Sequence, residues 1–191
     1  MTRLTRRSPS DMEEKRRELY HRMAEGRTVV ADGQIGGPFD AWALNPDTGR
    51  RIWQLGGALR FKPTIDRRYI ELAILMTGQL WQAQFEWFAH EPMARDAGLP
   101  EEVIQAIKVG TQPTFADSDD DDGDRRCWTF CRALLDRAKI GDAVYQDTVE
   151  RFEESGVADL INACGFYTLV SMTLNTFEVE LPDGAEPPFP A

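Results

Sequence analysis

This 191-residue chain has no surplus of positive charge, no paired cysteines and only two histidines. Each absence narrows what the protein can do. The formal charge of -10 disfavours a nucleic-acid partner, because a phosphate-binding surface needs clustered cations. Eight basic residues do lie within the first 27, but Asp11, Glu13, Glu14, Glu18 and Glu25 interleave with them, as on a solvated, salt-bridged helix. Three cysteines, Cys127, Cys131 and Cys164, are too few for a disulfide framework. With only His21 and His90, a histidine-rich metal site is excluded. Rossmann, P-loop and nucleophile-elbow signatures are missing, as is any repeat of solenoid period. The first 27 residues lack the apolar core of a secretory signal, so the expected location is cytoplasmic.

Uninterrupted hydrophobic runs are also missing. The longest apolar stretch, VADLINACGFYTLVSMTLNTF, is broken by Asp159, Asn162, Thr168, Ser171, Thr173 and Asn175, so no membrane partner is expected. The chain as a whole has a mean hydropathy of -0.44, and this stretch reads as a helix from the centre of a bundle.

What is present is helical periodicity. Ser8 and Pro9 read as a cap and first position of a helix running to Glu25, and residues 26–38 as a glycine-rich loop. A short FDAW segment follows, then a run opened by Pro46 and Asp47 and ended by Pro63. Asp66 caps a periodic segment with a break at Thr77 and Gly78, after which a second helix extends to Ala97. Glu101 and Glu102 open a short helix to Val109. The acidic run at 117–124 places Ser118 and Thr129 where an EF-hand needs carboxylates, and so reads as a solvated loop before a helix over 124–138. Asp142 opens a helix to Glu154, Gly156 breaks it, and the apolar helix closes the bundle. Four prolines in the last ten residues exclude helix there and predict an extended arm, loose or laid on a neighbour. The expected organisation is an N-terminal helix and loop over 1–35, a helical domain over 36–178 and a proline-rich arm over 179–191.

Chemistry concentrates in one segment. Glu86 and His90 stand one turn apart, which stacks a carboxylate on an imidazole. Such a pair can transfer protons, or can simply bond itself at the edge of a core. A straight helix would hold Glu71 roughly 22 Å from Glu86, so joining them requires the chain to fold back or two subunits to share the site. Cys127 and Cys131 at i,i+4 fit core packing better than redox chemistry.

The segment from Tyr69 to Ile107 resembles the carboxymuconolactone decarboxylase family, within the alkylhydroperoxidase D-like superfamily. The similarity rests on Glu71-Leu-Ala-Ile-Leu, on FEWFAH from Phe85 to His90, and on Ala94, Ala97 and Gly98. GPFDAW and YTLVSMTLNTFEVELP extend it over most of residues 36–182. It implies an all-α, alkylhydroperoxidase D-like helical bundle that self-associates, as a trimer or hexamer. In the peroxidase branch a Cys-x-x-Cys-x-x-x-His motif works with an upstream glutamate. Aligned on His90, that motif places Ala83 and Glu86 at the cysteine positions, and thiol chemistry there is excluded.

The resemblance then implies acid–base catalysis by Glu71, Glu86 and His90 on a small unsaturated carboxylate or lactone, without a cofactor. Trp81, Phe85 and Trp87 are candidate pocket walls. Arg60 and Arg67 are candidates to hold a substrate carboxylate, although Arg67 can instead pair with Glu71 at i,i+4. Two alternatives stay open, namely a thiol peroxidase using Cys127 and Cys131, and a non-catalytic module in which the polar trio fixes helix packing. Glu71, Glu86 and His90 could in principle hold a divalent ion, but the resemblance implies a proton relay instead. Protein purified without chelator is therefore expected to carry no stoichiometric metal by elemental analysis. Near one equivalent of zinc, manganese or iron per chain, lost in His90→Ala, would overturn this.

Overall fold

A computed structural model describes the chain except residues 1, 6, 28–33, 117–118, 137–138 and 191, and except the side chains of 119–121. Residues 28–33 of the loop assigned to 26–38, the start of the acidic run and the last two positions of the helix expected over 124–138 lie outside the described residues. Among the described residues the regular structure is helical and no strand forms. The helices are α1 (Glu14–Ala24), α2 (Phe39–Trp42), α3 (Pro46–Phe61), α4 (Arg67–Leu80), α5 (Gln84–Asp96), α6 (Glu101–Lys108), α7 (Asp119–Leu135) and α8 (Asp142–Thr176).

The centre of the bundle is α4. Its ten consecutive residues from Tyr69 to Gly78 are all buried, which a one-sided amphipathic helix would not allow. Helices α5, α6, α7 and α8 enclose it. Asp66 begins α4 by accepting from the Arg68 amide, and Asn45 begins α3 by accepting from the Thr48 amide at 3.3 Å. By length and hydropathy α8 could cross a membrane, but half of its most apolar window is buried in the bundle. It shares the centre rather than filling it, since Ile161, Leu169 and Met172 remain exposed. Met12, Leu19, Tyr20, Met23, Ile35 and Ala43 form a second, smaller apolar cluster under α1.

Several boundaries differ from the sequence reading. Pro9–Asp11 is a single 3-10 turn, and extended backbone at Met12 and Glu13 separates it from α1. The helix expected to break at Thr77 and Gly78 continues to Leu80. Gly78 is tolerated within it, and the reversal falls on Trp81 to Ala83, where Gln82 takes φ 48°. Asn175 at the end of α8 donates to the Trp81 carbonyl at 2.8 Å and pins that turn.

Glycine 156 does not break α8; the non-helical residue is Glu153. The glycine is there for close packing, since a Cβ would lie 2.5 Å from Ile65. The end of the proline-rich arm is held on its own chain. The Gln84 side-chain amide donates to the Phe189 carbonyl and accepts from its N–H, both at 2.9 Å, and the Phe189 ring packs edge-on against Trp87.

The acidic run also departs from a solvated loop, because α7 begins at Asp119 and Asp124 is fully buried. Arg68 meets it with a two-pronged contact, Nε donating at 2.8 and 3.0 Å and Nη2 donating to Oδ2. Gly123 beside it has no room for a side chain, as a Cβ would sit 2.2 Å from the Tyr69 hydroxyl. Removing one partner of such a pair strands the other charge, so Asp124→Ala should cost about 3–5 kcal/mol in denaturant unfolding. A loss within the range of ordinary surface substitutions would contradict this account of the pair.

Candidate functional site

The tight reversal after α4 lays α5 antiparallel against it and brings Glu71 to His90 within one chain. His90 lies between the two glutamates. Its Nδ1 is 2.7 Å from Glu71 Oε2, and its Nε2 is 3.2 Å from Glu86 Oε1. Arg67 Nε donates to the other Glu71 oxygen at 3.2 Å. All three members of the trio are buried. A carboxylate on Nδ1 fixes the ring orientation and favours the tautomer with the proton on that nitrogen. Nε2 is then left to face Glu86.

Glu86 is the less satisfied carboxyl. Its Oε1 is sealed from solvent, close to Nε2 but off the line of a hydrogen bond. Burial pushes its pKa up; the positive charge of His90 opposes the rise, Glu71 reinforces it and Arg60 opposes it. The first turn of a helix otherwise favours an anion, so burial acts against the position. A carboxyl held toward its protonated form beside an imidazole lone pair can pass a proton either way.

Glu86 and His90, but not Glu71, line a cavity of about 500 Å³. Its walls are mostly apolar, from Phe39, Trp42, Phe85, Met93, Phe166 and Val170. Arg60 also faces it. This guanidinium has no carboxylate partner among the described residues, its contacts being the Met93 sulfur at 3.5 Å and the Phe61 ring. Arg27 lines it too, stacked 4.3 Å over Phe39, its pKa lowered by burial and by the charge of Arg60.

Of the residues singled out in the sequence, Glu86, His90, Arg60 and Phe85 thus meet at one cavity, with Glu71 behind His90. Trp81, Trp87 and Arg67 do not line it. Trp81 belongs to the turn, and Trp87 points to the opposite face of α5, into the core beside Phe189 and Lys108. Arg67 pairs with Glu71 instead of facing the cavity. Sequence reasoning missed Arg27, Phe166 and Tyr167. No local signal marks Tyr167, since Thr168, Ser171 and Thr173 on the same helix also bear hydroxyls.

The trio is not arranged around a single point, since the two ring nitrogens face opposite carboxylates. Among the described residues no group of three His, Cys, Asp or Glu side chains is placed to hold an ion. The cysteines are all buried. The Cys131 thiol is pushed well up, chiefly by its contact with Cys127, and that of Cys164 by its contact with Cys131 and by burial. A peroxide-reducing thiol must be exposed and acidified, and Cys131 and Cys164 are neither.

Residues 46–116 match the family model described as the carboxymuconolactone decarboxylase family. This segment is similar to that family. It holds the whole Glu71, Glu86 and His90 trio together with Arg60, whereas Arg27 and Tyr167 lie outside it. No match is found among curated proteins.

Solved structures share the fold over nearly the whole chain. One is an uncharacterized peroxidase-related protein with an alkylhydroperoxidase AhpD core from Ralstonia eutropha JMP134, at 16% identity and a TM-score of 0.69, covering 95% of this chain and 93% of that one. The debrominase Bmp8, solved in complex with 2,3,4-tribromopyrrole, is 12% identical with a TM-score of 0.67, covering 95% and 91%. A putative antioxidant defence protein AhpD from Agrobacterium tumefaciens, of unknown function, matches with a TM-score of 0.62 at 16% identity, over 73% of this chain and 93% of its own. The fold is therefore all-α and AhpD-like.

The raised Glu86 pKa carries a pH signature. A glutamate held above its unfolded value stabilises the fold fully below the ordinary carboxylate range, and that contribution is lost as pH rises through the raised value. Glu86→Gln carries no charge at any pH and escapes the loss. Its stability relative to the parent should therefore increase as pH climbs through that window, read from denaturant midpoints. A difference independent of pH would remove the assignment.

Proposed function

We propose that this chain is a cofactor-independent lyase or isomerase that moves protons on a small unsaturated carboxylate or lactone. The observation that carries the reading is a relay closed at one end and open at the other. Arg67, Glu71 and the Nδ1 side of His90 are bonded to one another, while Glu86 and the far side of His90 face the cavity. A network serving only to fix helix packing would be satisfied at both ends. The unsatisfied Glu86 oxygen and the cavity beside it favour chemistry.

In a decarboxylation on this site, the bond to the leaving carboxylate breaks and its electron pair moves through the conjugated system to the lactone carbonyl. Carbon dioxide leaves and a dienolate remains. A proton from Glu86 or protonated His90 then goes to carbon, and solvent restores the donor. Glu71, anchored by Arg67, holds the imidazole ring in place. Arg60 suits a substrate oxygen other than those of the carboxylate lost, because pairing the departing group would stabilise the ground state and slow its loss. In an isomerisation the same pair removes a proton from one carbon and returns it to another.

Proton transfer can be read directly by incubating the protein with carboxymuconolactone and, separately, with its decarboxylated enol-lactone in heavy water. Deuterium should enter the carbon conjugated to the lactone carbonyl. His90→Gln and Glu86→Gln should each slow this by about 10²-fold or more with the fold intact. Absence of exchange in the parent protein, or undiminished exchange in both variants, would overturn the proposal.

A further inference from the structure

Tyr167 sits on α8 with only 3% of its surface exposed, edge-on to the His90 ring at 5.1 Å and 79°. It lines the same cavity as Glu86, His90 and Arg60. Its hydroxyl makes no hydrogen bond to any described residue. Unlike Glu86 Oε1, that oxygen keeps some accessible surface, and its residue lines the cavity. A buried hydroxyl without a partner costs free energy that a bound acceptor would recover.

The surroundings fix the ring tightly. Phe166 packs against it at 5.2 Å, and Phe166 in turn needs Gly56, where a Cβ would lie 2.7 Å from its ring. Burial, and then the negative charge of Glu86, hold the phenol far above its ordinary pKa, so it stays protonated and donates. Arg60 opposes that rise through its positive charge, which places the guanidinium within electrostatic reach of the hydroxyl.

We infer that Tyr167 is a further catalytic residue, whose hydroxyl donates, alongside the Arg60 guanidinium, to the substrate oxygen on which negative charge builds. This rests on the acid–base reading above, in which an enolate oxygen forms within the cavity. The cavity then divides its work. Glu86 and His90 handle the proton at carbon, while Tyr167 and Arg60 stabilise the oxyanion across from them. Such donors, fixed before the reaction in a site walled by aromatic rings, act where water is excluded and their effect is largest.

The inference predicts an affinity for planar oxyanions that can be measured without turnover. The probe is 4-nitrophenol, whose absorbance reports its ionised form, with 4-nitroanisole as a neutral ligand of the same shape. The parent protein should bind 4-nitrophenolate, and Tyr167→Phe should weaken that binding roughly tenfold or more, as expected for losing one hydrogen bond to a charged acceptor. Binding of 4-nitroanisole should be unchanged in Tyr167→Phe, which also shows that the cavity is intact. Arg60→Gln should weaken the phenolate and spare the ether.

Equal phenolate affinity in the parent and Tyr167→Phe, equal losses for both ligands, or no phenolate binding by the parent would overturn the inference. Failure of the acid–base reading looks different, as undiminished deuterium exchange in His90→Gln and Glu86→Gln with phenolate binding still dependent on Tyr167.

Discussion

The contact between Glu71 and His90 ties the two halves of the site, and much else in the bundle is arranged to permit it. A carboxylate inside the most enclosed helix would be costly alone. It is kept there by the imidazole on one oxygen and the Arg67 guanidinium on the other. That pairing demands that α5 return along α4, which the three-residue turn after Leu80 accomplishes. The returning helix also carries Glu86 to the other side of the imidazole, where no cation matches it. One carboxyl is thus held by two partners and the other by burial and proximity. Burial thereby raises the proton affinity of Glu86.

How much of this could be read in the sequence depended on distance along the chain. The start of α4 at Asp66, the start of α3 at Asn45 and the pairing of Glu86 with His90 are local, and their residue types announced them. The joining of Glu71 to His90 was a demand that spacing could state but not satisfy; only the turn geometry does so. Glycines misled, because a glycine in a helical pattern reads as a break. Gly78 and Gly156 instead sit inside helices, Gly156 where Ile65 leaves no space for a Cβ. Asp124 misled in the same way, since an acidic run gives no sign that one member will turn inward to Arg68. The tryptophans offered as pocket walls point away from the cavity, while Arg27 and Tyr167 line it from segments that no local pattern connects to α5.

The cavity is assembled from parts with different histories in the chain. The segment matching the family model supplies Glu86 and His90, and residues outside it supply Tyr167, Phe166 and Arg27. A shared fold at 12 to 16% identity then says little about which molecule each protein handles.

The clasp between Gln84 and Phe189 has a bearing on the order in which the molecule is built. It joins positions 105 residues apart, so it forms only after most of the chain is available and after the entropy of closing a long loop has been met. Gln84 and Trp87 flank Glu86 on α5. The first turn of that helix, with no side-chain cap of its own, gains its last support from the tail of the chain. Helices α4, α7 and α8 can therefore consolidate first, leaving the acidic end of the relay among the last features to become rigid.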